Sequence, residues 1–504
     1  MLNRSRAFAS AAALALAAGL WAGPASAETL RDAIALAYRT NPSLLAQRAN
    51  QRALDETVVQ ARAGLRPELN VTASANYTRT DSAGGGVDIN GDGIPDVTTG
   101  GVSESNNGNV SIGLSQTLYT GGRVSRAISA AEAGVLEGRE NLRDLEQQVI
   151  VAVVQAYVDV LRDVEILEVR RENLQVLRRQ LDESNARFEV GEITRTDVAQ
   201  SEARLAQAEA DLATAEAQLS TSRAAYAAVV GQSPSDLAAP APLIAEPQPF
   251  EAALDVALDR NPGLLAAAYN QRQAEENVAQ ARAAFRPTAG LTASYGGSDE
   301  LRGFDPTQST AFRAGATVSV PLFTGGLNRS RVAQALEQAN AAQIQVENER
   351  RTVLQEASQA YAGLISARAG VTANEEAVRA ARVAAEGVRQ EQSVGLRTTL
   401  DVLNAELELR NAQINLAVAR RNDYVAQAQL LAAMGSLDAP SLADVEAYDP
   451  AENYERVRNR GALPWDFAVE AIDGIAAPPV QPANDAEDAP IDQQLKSEVV
   501  RTAP

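Results

Sequence analysis

Hydrophobic and polar residues alternate one by one in four segments of the chain. Leu69, Val71, Ala73, Ala75 and Tyr77 share one face, with Asn70, Thr72, Ser74 and Asn76 on the other. Val110, Ile112, Leu114 and Leu118 oppose Ser111, Gly113, Ser115 and Thr117. Ala289, Leu291, Ala293 and Tyr295 oppose Gly290, Thr292 and Ser294, and Phe312 to Leu322 alternates in the same way against Arg313, Gly315, Thr317 and Ser319. A period of two predicts strands, over about 67–77, 109–119, 288–295 and 311–323. Elsewhere the period is seven. Val153, Val160, Leu167, Leu174, Leu181 and Phe188 mark a long helix over 123–190, unbroken by proline, and a counterpart runs over 328–393. Return helices are predicted over 196–230 and 398–434. In the first, Val198, Leu205, Leu212 and Leu219 alternate with Ser201, Ala208, Ala215 and Ser222. In the second, Val402, Leu409, Leu416 and Leu430 alternate with Ala405, Ala412, Ala419 and Ala426, the row being broken at Asp423. Large and small seam positions in turn let helices pack knobs into holes. A helix over 123–190 would be about 100 Å long at 1.5 Å per residue. That length suits a coiled coil or a hollow cylinder, not a compact domain.

The pattern occurs twice. Asn41-Pro42 recurs as Asn261-Pro262, Gln60-Ala61-Arg62-Ala63 as Gln280-Ala281-Arg282-Ala283, and Arg66-Pro67 as Arg286-Pro287, all at one offset. After a longer loop in the first half the offset is shorter and stays constant: Tyr119-Thr120-Gly121-Gly122 matches Phe323-Thr324-Gly325-Gly326, and Val190-Gly191 matches Val394-Gly395. A single length change inside a loop is what a duplicated unit shows. Asn41 and Asn261 read as N-caps with proline at the first helical position. The chain divides into a leader (1–27), a first repeat (28–230), a linker (231–248), a second repeat (249–435), an equatorial C-terminal segment (436–475), and an acidic, Pro-rich tail (476–504) expected to be disordered.

The leader has a basic start (Arg4, Arg6), an Ala/Leu-rich run and an Ala25-Ser26-Ala27 cleavage site, so the mature chain is expected to begin at Glu28. No later stretch is long and apolar enough for a membrane helix. Any crossing must therefore use strands. Alternation alone fits a half-buried soluble sheet equally well. Four strands cannot close a barrel, however, and an open edge cannot sit in lipid. Bacterial barrels need about eight strands, and three copies of this chain would supply twelve. Cys and His are both absent, which excludes disulfides, thiolate nucleophiles, Cys/His zinc sites, His-based catalysis and a lipidated cysteine. A formal net charge of −20 disfavours nucleic acid. With no nucleophile–base pair and no phosphate loop, an enzyme is not expected.

From Glu28 to Tyr454 the chain resembles the TolC family of outer-membrane efflux and secretion channels. The resemblance rests on the repeated strand–loop–strand–long-helix order, the Asn-Pro and Arg-Pro junctions, the aromatic-Thr-Gly-Gly turns, and the hairpin tips Phe188-Glu189-Val190-Gly191 and Ser393-Val394-Gly395-Leu396-Arg397-Thr398. It implies a mostly helical protein with a membrane β part: a homotrimer whose twelve-stranded barrel, four strands per protomer, continues into a long coiled-coil α-barrel in the periplasm. It also implies a periplasmic adaptor and an inner-membrane transporter, ABC-type or proton-driven, as partners. No cofactor is required. By the same resemblance the adaptor docks at the tips, through Val190, Gly191, Glu192, Thr194, Val394, Gly395, Leu396 and Thr398. Arg397 takes the place of the family's closing link, with Asp197 and Thr196 of a neighbouring hairpin as partners. Asp401 fits an acidic ring that narrows the entrance, while Asn404 and Gln392 depart from the family's pattern. Arg397, Asp197 and Asp401 also read as ordinary solvated helix-end charges.

The segment Tyr448 to Asn459 resembles members serving ABC-driven type I protein secretion, which is the expected function, with small-molecule efflux as the alternative. A periplasmic coiled-coil adaptor or scaffold is the alternative of another class. In the first external loop, Asp88, Asn90, Asp92 and Asp96 have the oxygen spacing of a weak Ca2+ loop, although position twelve is Thr99. The same residues also fit a Gly/Asp turn in a hydrated loop.

Overall fold

The structure, a computed structural model, describes residues 27–475 and 477–481 except 88, 90, 92, 93, 95, 96 and 99. Each repeat starts with a short helix and a longer one: α1 (Leu30–Thr40) and α2 (Pro42–Ala63), then α5 (Phe250–Arg260) and α6 (Pro262–Ala283). Asn41 and Asn261 cap α2 and α6 as their sequence demands, each side-chain oxygen accepting from the two amides that follow the proline. The long helices are α3 (Arg123–Glu189) and α7 (Leu327–Ser393), and the return helices α4 (Arg195–Val230) and α8 (Thr399–Ala433). Seam residues such as Val153, Val160, Leu219 and Leu409 are buried. Asp423, which breaks the seam, is met by Arg368 and by the Gln427 amide.

Strands β1 (Glu68–Ser82), β4 (Gly101–Tyr119), β5 (Thr288–Glu300) and β6 (Thr310–Ser319) form one sheet in the order β1-β4-β5-β6. A small pair, β2 (Gly86–Val87) with β3 (Val97–Thr98), sits in the first external loop. The first three sheet strands outrun their predicted ends. Beyond the apolar band the hairpins stay paired through polar residues, as in Arg79 opposite Glu104. Strand β6 is shorter than predicted and stops at Ser319, because Pro321 cannot donate to a ladder. The register lines up the apolar sets of all four strands: Val71 opposite Ile112, Ile112 opposite Tyr295, Tyr295 opposite Phe312. One continuous apolar face results, and its side chains are exposed. Both outer strands, β1 and β6, leave an unpaired edge in the single chain.

The main core lies at the equator, where α1 packs against α3 and α4. Glu28 anchors it. Its carboxylate accepts from the Tyr226 hydroxyl (2.6 Å), the Gln232 amide (2.9 Å) and Ser235. The Tyr157 hydroxyl donates to the carbonyls of Glu28 and Ala238. Burial alone would raise the Glu28 carboxyl, but these hydrogen bonds outweigh it and hold the group below the usual glutamate range.

The segment 436–475 is not confined to the equator. After α9 (Ala439–Leu442), α10 (Pro450–Val457) climbs along α2, and α11 (Asp466–Ile475) reaches the base of the sheet. There Arg66 meets Asp466 at 2.9 Å. Asp473, fully buried, accepts from the Thr120 amide (2.6 Å) and hydroxyl (2.8 Å), the Gly122 amide (3.2 Å) and the Ser125 amide (3.1 Å). Gly122, at the N-cap position of α3, has no side chain to offer, so Asp473 caps the helix from the far end of the chain, beside the Thr120 hydroxyl oxygen, which accepts from the Val124 amide. Residues 477–481 continue from this helix, and Gln481 accepts from Arg282 at 2.6 Å. The remainder of the tail lies outside the described residues.

Candidate functional site

The two hairpin tips have the same construction. In the first, the chain leaves α3 through Val190 and turns at Gly191, whose φ of 79° is left-handed. The Gly191 and Glu192 amides donate back to Phe188 and Arg187. Thr194 then caps α4 in a reciprocal box with Asp197. Asp197 Oδ2 accepts from the Thr194 amide (2.9 Å) and hydroxyl (2.8 Å), and the Thr194 hydroxyl oxygen accepts from the Asp197 amide. The second tip repeats this with Gly395 at φ 80° and the box Thr398/Asp401. Hydrogen bonds from the Thr194 backbone and side chain hold the Asp197 carboxyl below the usual aspartate range, and those from Thr398 do the same for Asp401. Both aspartates thus have a structural duty at the helix start. The sequence carried the signal, since Thr-x-x-Asp before an apolar run is a capping box. The helices predicted to start at 196 and 398 start at Arg195 and Thr399, and the boxes were not predicted.

Within one protomer Arg397 is not brought to Asp197. Its Nε meets Glu391 Oε2 at 2.8 Å, and that carboxylate raises the guanidinium further above its ordinary value. Asp197 spends Oδ2 on its cap. Thr196 is exposed, and Asn404 accepts from Arg204 of α4 at 3.3 Å. The tips present Val190, Val394 and Leu396 as exposed apolar side chains, beside the exposed Gly191, Glu192, Thr194, Gly395 and Thr398. A charge network centred on buried Glu406 and Arg410 lies above the tips and was not predicted. Glu406, 2 % exposed, pairs with Arg389 and Arg410, and Arg410 reaches Glu172 of α3 at 3.4 Å. Only the i, i+4 spacing of Glu406 and Arg410 could have hinted at it. No group of His, Cys, Asp and Glu able to hold a metal occurs among the described residues. Asp88, Asn90, Asp92 and Asp96 of the expected calcium loop lie outside them.

A membrane-type sheet tied to paired long hairpins is an unusual architecture, and comparison with known proteins places it. The sequence profile described as "Outer membrane efflux protein" matches residues 33–232 and 253–436. The chain belongs to that family. It is 37 % identical over 466 residues, 92 % of this chain and 97 % of its relative, to the outer membrane efflux protein BepC of Brucella suis. It is 29 % identical to the alkaline protease secretion protein AprF of Pseudomonas aeruginosa, covering 67 % of this chain and 71 % of AprF. The open-state structure of the Neisseria gonorrhoeae MtrE outer membrane channel superposes with a TM-score of 0.67 at 26 % identity, over 81 % of this chain and 90 % of MtrE. The resemblance to TolC-family channels therefore holds. The protein is an outer-membrane channel component of tripartite export systems, not an enzyme, and its fold is the family's helical tunnel below a membrane β-barrel. The membership also sets aside the periplasmic adaptor or scaffold reading.

Proposed function

We propose that three copies of this chain form a passive duct for type I, ABC-driven protein secretion. The carrying observation is the continuous apolar face across β1-β4-β5-β6, which ends in two unpaired edges. Pairing β6 of one copy with β1 of the next closes a twelve-stranded ring and removes every edge from lipid. The duct supplies no energy. It offers a polar lumen below a lipid-facing band, while an inner-membrane ABC transporter drives the cargo and a periplasmic adaptor docks on the tips. Secretion is supported by the relative AprF, named for alkaline protease secretion. It is supported also by the segment Tyr448 to Asn459, which packs on the tunnel wall through Asn453 to Asp55 and Tyr454 to Glu132. The relative BepC, named an efflux protein, favours small-molecule efflux as the second reading. Deleting the gene is expected to trap an exported protein inside the cells. Unchanged secretion with new drug sensitivity would transfer the assignment to efflux.

At the entrance, Arg397 is bonded to Glu391 of its own hairpin and feels Asp401 nearby, and it can exchange Glu391 for Asp197 of a neighbour, whose Oδ1 is not spent on the cap. That exchange would hold the tips closed. A single exposed ion pair is a weak link, but threefold symmetry repeats it, and concerted opening must break all copies. Adaptor docking at Gly191 and Gly395 opposes closure if it binds the open arrangement better. Asp401 would then form the acidic narrowing.

A further inference from the structure

Helix α11 is amphipathic the wrong way round for a soluble surface. Asp466, Glu470 and Asp473 follow one another at i, i+4 and i+7, so they form one stripe. That stripe is turned to the protein, with Asp466 on Arg66 and Asp473 on the Thr120 turn. Val469 closes the contact against Leu65 and Val124. The apolar side chains face away. Phe467 is 76 % exposed and Ile475 83 %, with Ile472 and the preceding Trp465 about half exposed. Polar side chains buttoned inward and large apolar ones outward signal contact with something apolar.

The position of the helix says what that is. Arg66 lies two residues before β1 begins, and Thr120 directly follows the end of β4. Both anchors therefore stand at the periplasmic rim of the sheet, and α11 runs along that rim. The exposed apolar face of the sheet ends at this level. In the second repeat the same level carries exposed Phe285, Leu322 and Phe323. The helix thus continues a lipid-facing surface that already exists.

We propose that α11 lies in the membrane plane against the periplasmic leaflet of the outer membrane, with Trp465 and Phe467 at headgroup level and Ile472 and Ile475 in the acyl boundary. It would act as an in-plane anchor that fixes the depth of the barrel, in a chain that has no cysteine to acylate. The inference rests on the outer-membrane placement of the sheet.

The protein carries its own probe. Of its two tryptophans, Trp21 lies in the expected leader, so removal of that leader leaves Trp465 as the single tryptophan. The full mature protein would be reconstituted in phosphatidylethanolamine/phosphatidylglycerol vesicles, with and without phosphatidylcholine brominated near the headgroup. With the apolar face about 5–10 Å into the boundary, Trp465 emission should be blue-shifted and lose roughly half its intensity to the brominated lipid. A Phe467→Asp/Ile475→Asp variant should stay in the vesicles but lose most of that quenching and become open to aqueous iodide. Wild-type emission quenched by iodide but not by brominated lipid would overturn the proposal. So would emission shielded from both, which would mean that a second copy of the chain covers the helix. Failure of the wild type to enter vesicles at all would instead remove the outer-membrane reading, and this inference with it.

Discussion

Replacing Asp473 with alanine should loosen the junction between barrel and tunnel. Among the described residues its carboxylate is the only side-chain acceptor for the amides of Thr120, Gly122 and Ser125, and neither Asp473 nor Thr120 is more than 1 % exposed. An orphaned buried donor costs about 1–3 kcal/mol. Counting the two most enclosed amides, and allowing for water admitted by the truncation, the start of α3 should lose about 2–4 kcal/mol of local stability. At a tenfold change per 1.36 kcal/mol, that is roughly a thirtyfold to thousandfold faster opening. Hydrogen exchange read by mass spectrometry on peptides spanning Thr120 to Ser129 measures it directly. Asp473→Asn keeps one acceptor oxygen and should fall between wild type and alanine. Exchange in Asp473→Ala within about threefold of wild type, with α11 still protected, would refute the claim that this carboxylate caps the helix.

Other consequences are open to measurement. In planar bilayers, Arg397→Ser and Asp197→Ala should each raise single-channel conductance, and Asp401→Ala should weaken cation selectivity; unchanged conductance in an intact trimer would leave these charges as helix-end charges only. At Gly191 and Gly395 a Cβ would meet no atom within 4 Å, so alanine there carries only the left-handed backbone penalty of about 1–2 kcal/mol, visible as faster exchange confined to the tips. Because hydrogen bonding holds the folded Glu28 carboxyl below its usual range, its contribution is present above the ordinary glutamate value and is lost as pH falls through the lowered one. Glu28→Gln should accordingly flatten the acid limb of thermal stability against pH, and an unchanged acid limb would show that the hydrogen bonds to this carboxylate are not what acid titrates.

What the sequence determined by itself was whatever repeats locally. Alternation fixes which strand face is apolar, because successive side chains must point to opposite sides. The heptads fix the helix seams, because 3.6 residues complete a turn. Asn41 and Asn261 cap the helices that follow because their partners are two and three residues away. The Thr194/Asp197 box was legible on the same terms. Tertiary structure alone decided the rest. Asp473 caps a helix by bonding Ser125, 348 residues upstream, Arg368 receives the Asp423 that breaks the seam, and Glu406 joins α7 and α8 to α3 through Arg389 and Arg410. The fate of α11 belongs with these. Its composition announces an amphipathic helix, but which stripe faces the protein depends on Arg66 and the Thr120 turn being waiting donors at the sheet rim. No periodicity within ten residues encodes a partner hundreds of residues away. The physical reason is that a buried carboxylate is stable only where the fold supplies its hydrogen bonds, and that supply exists only once the chain has closed on itself.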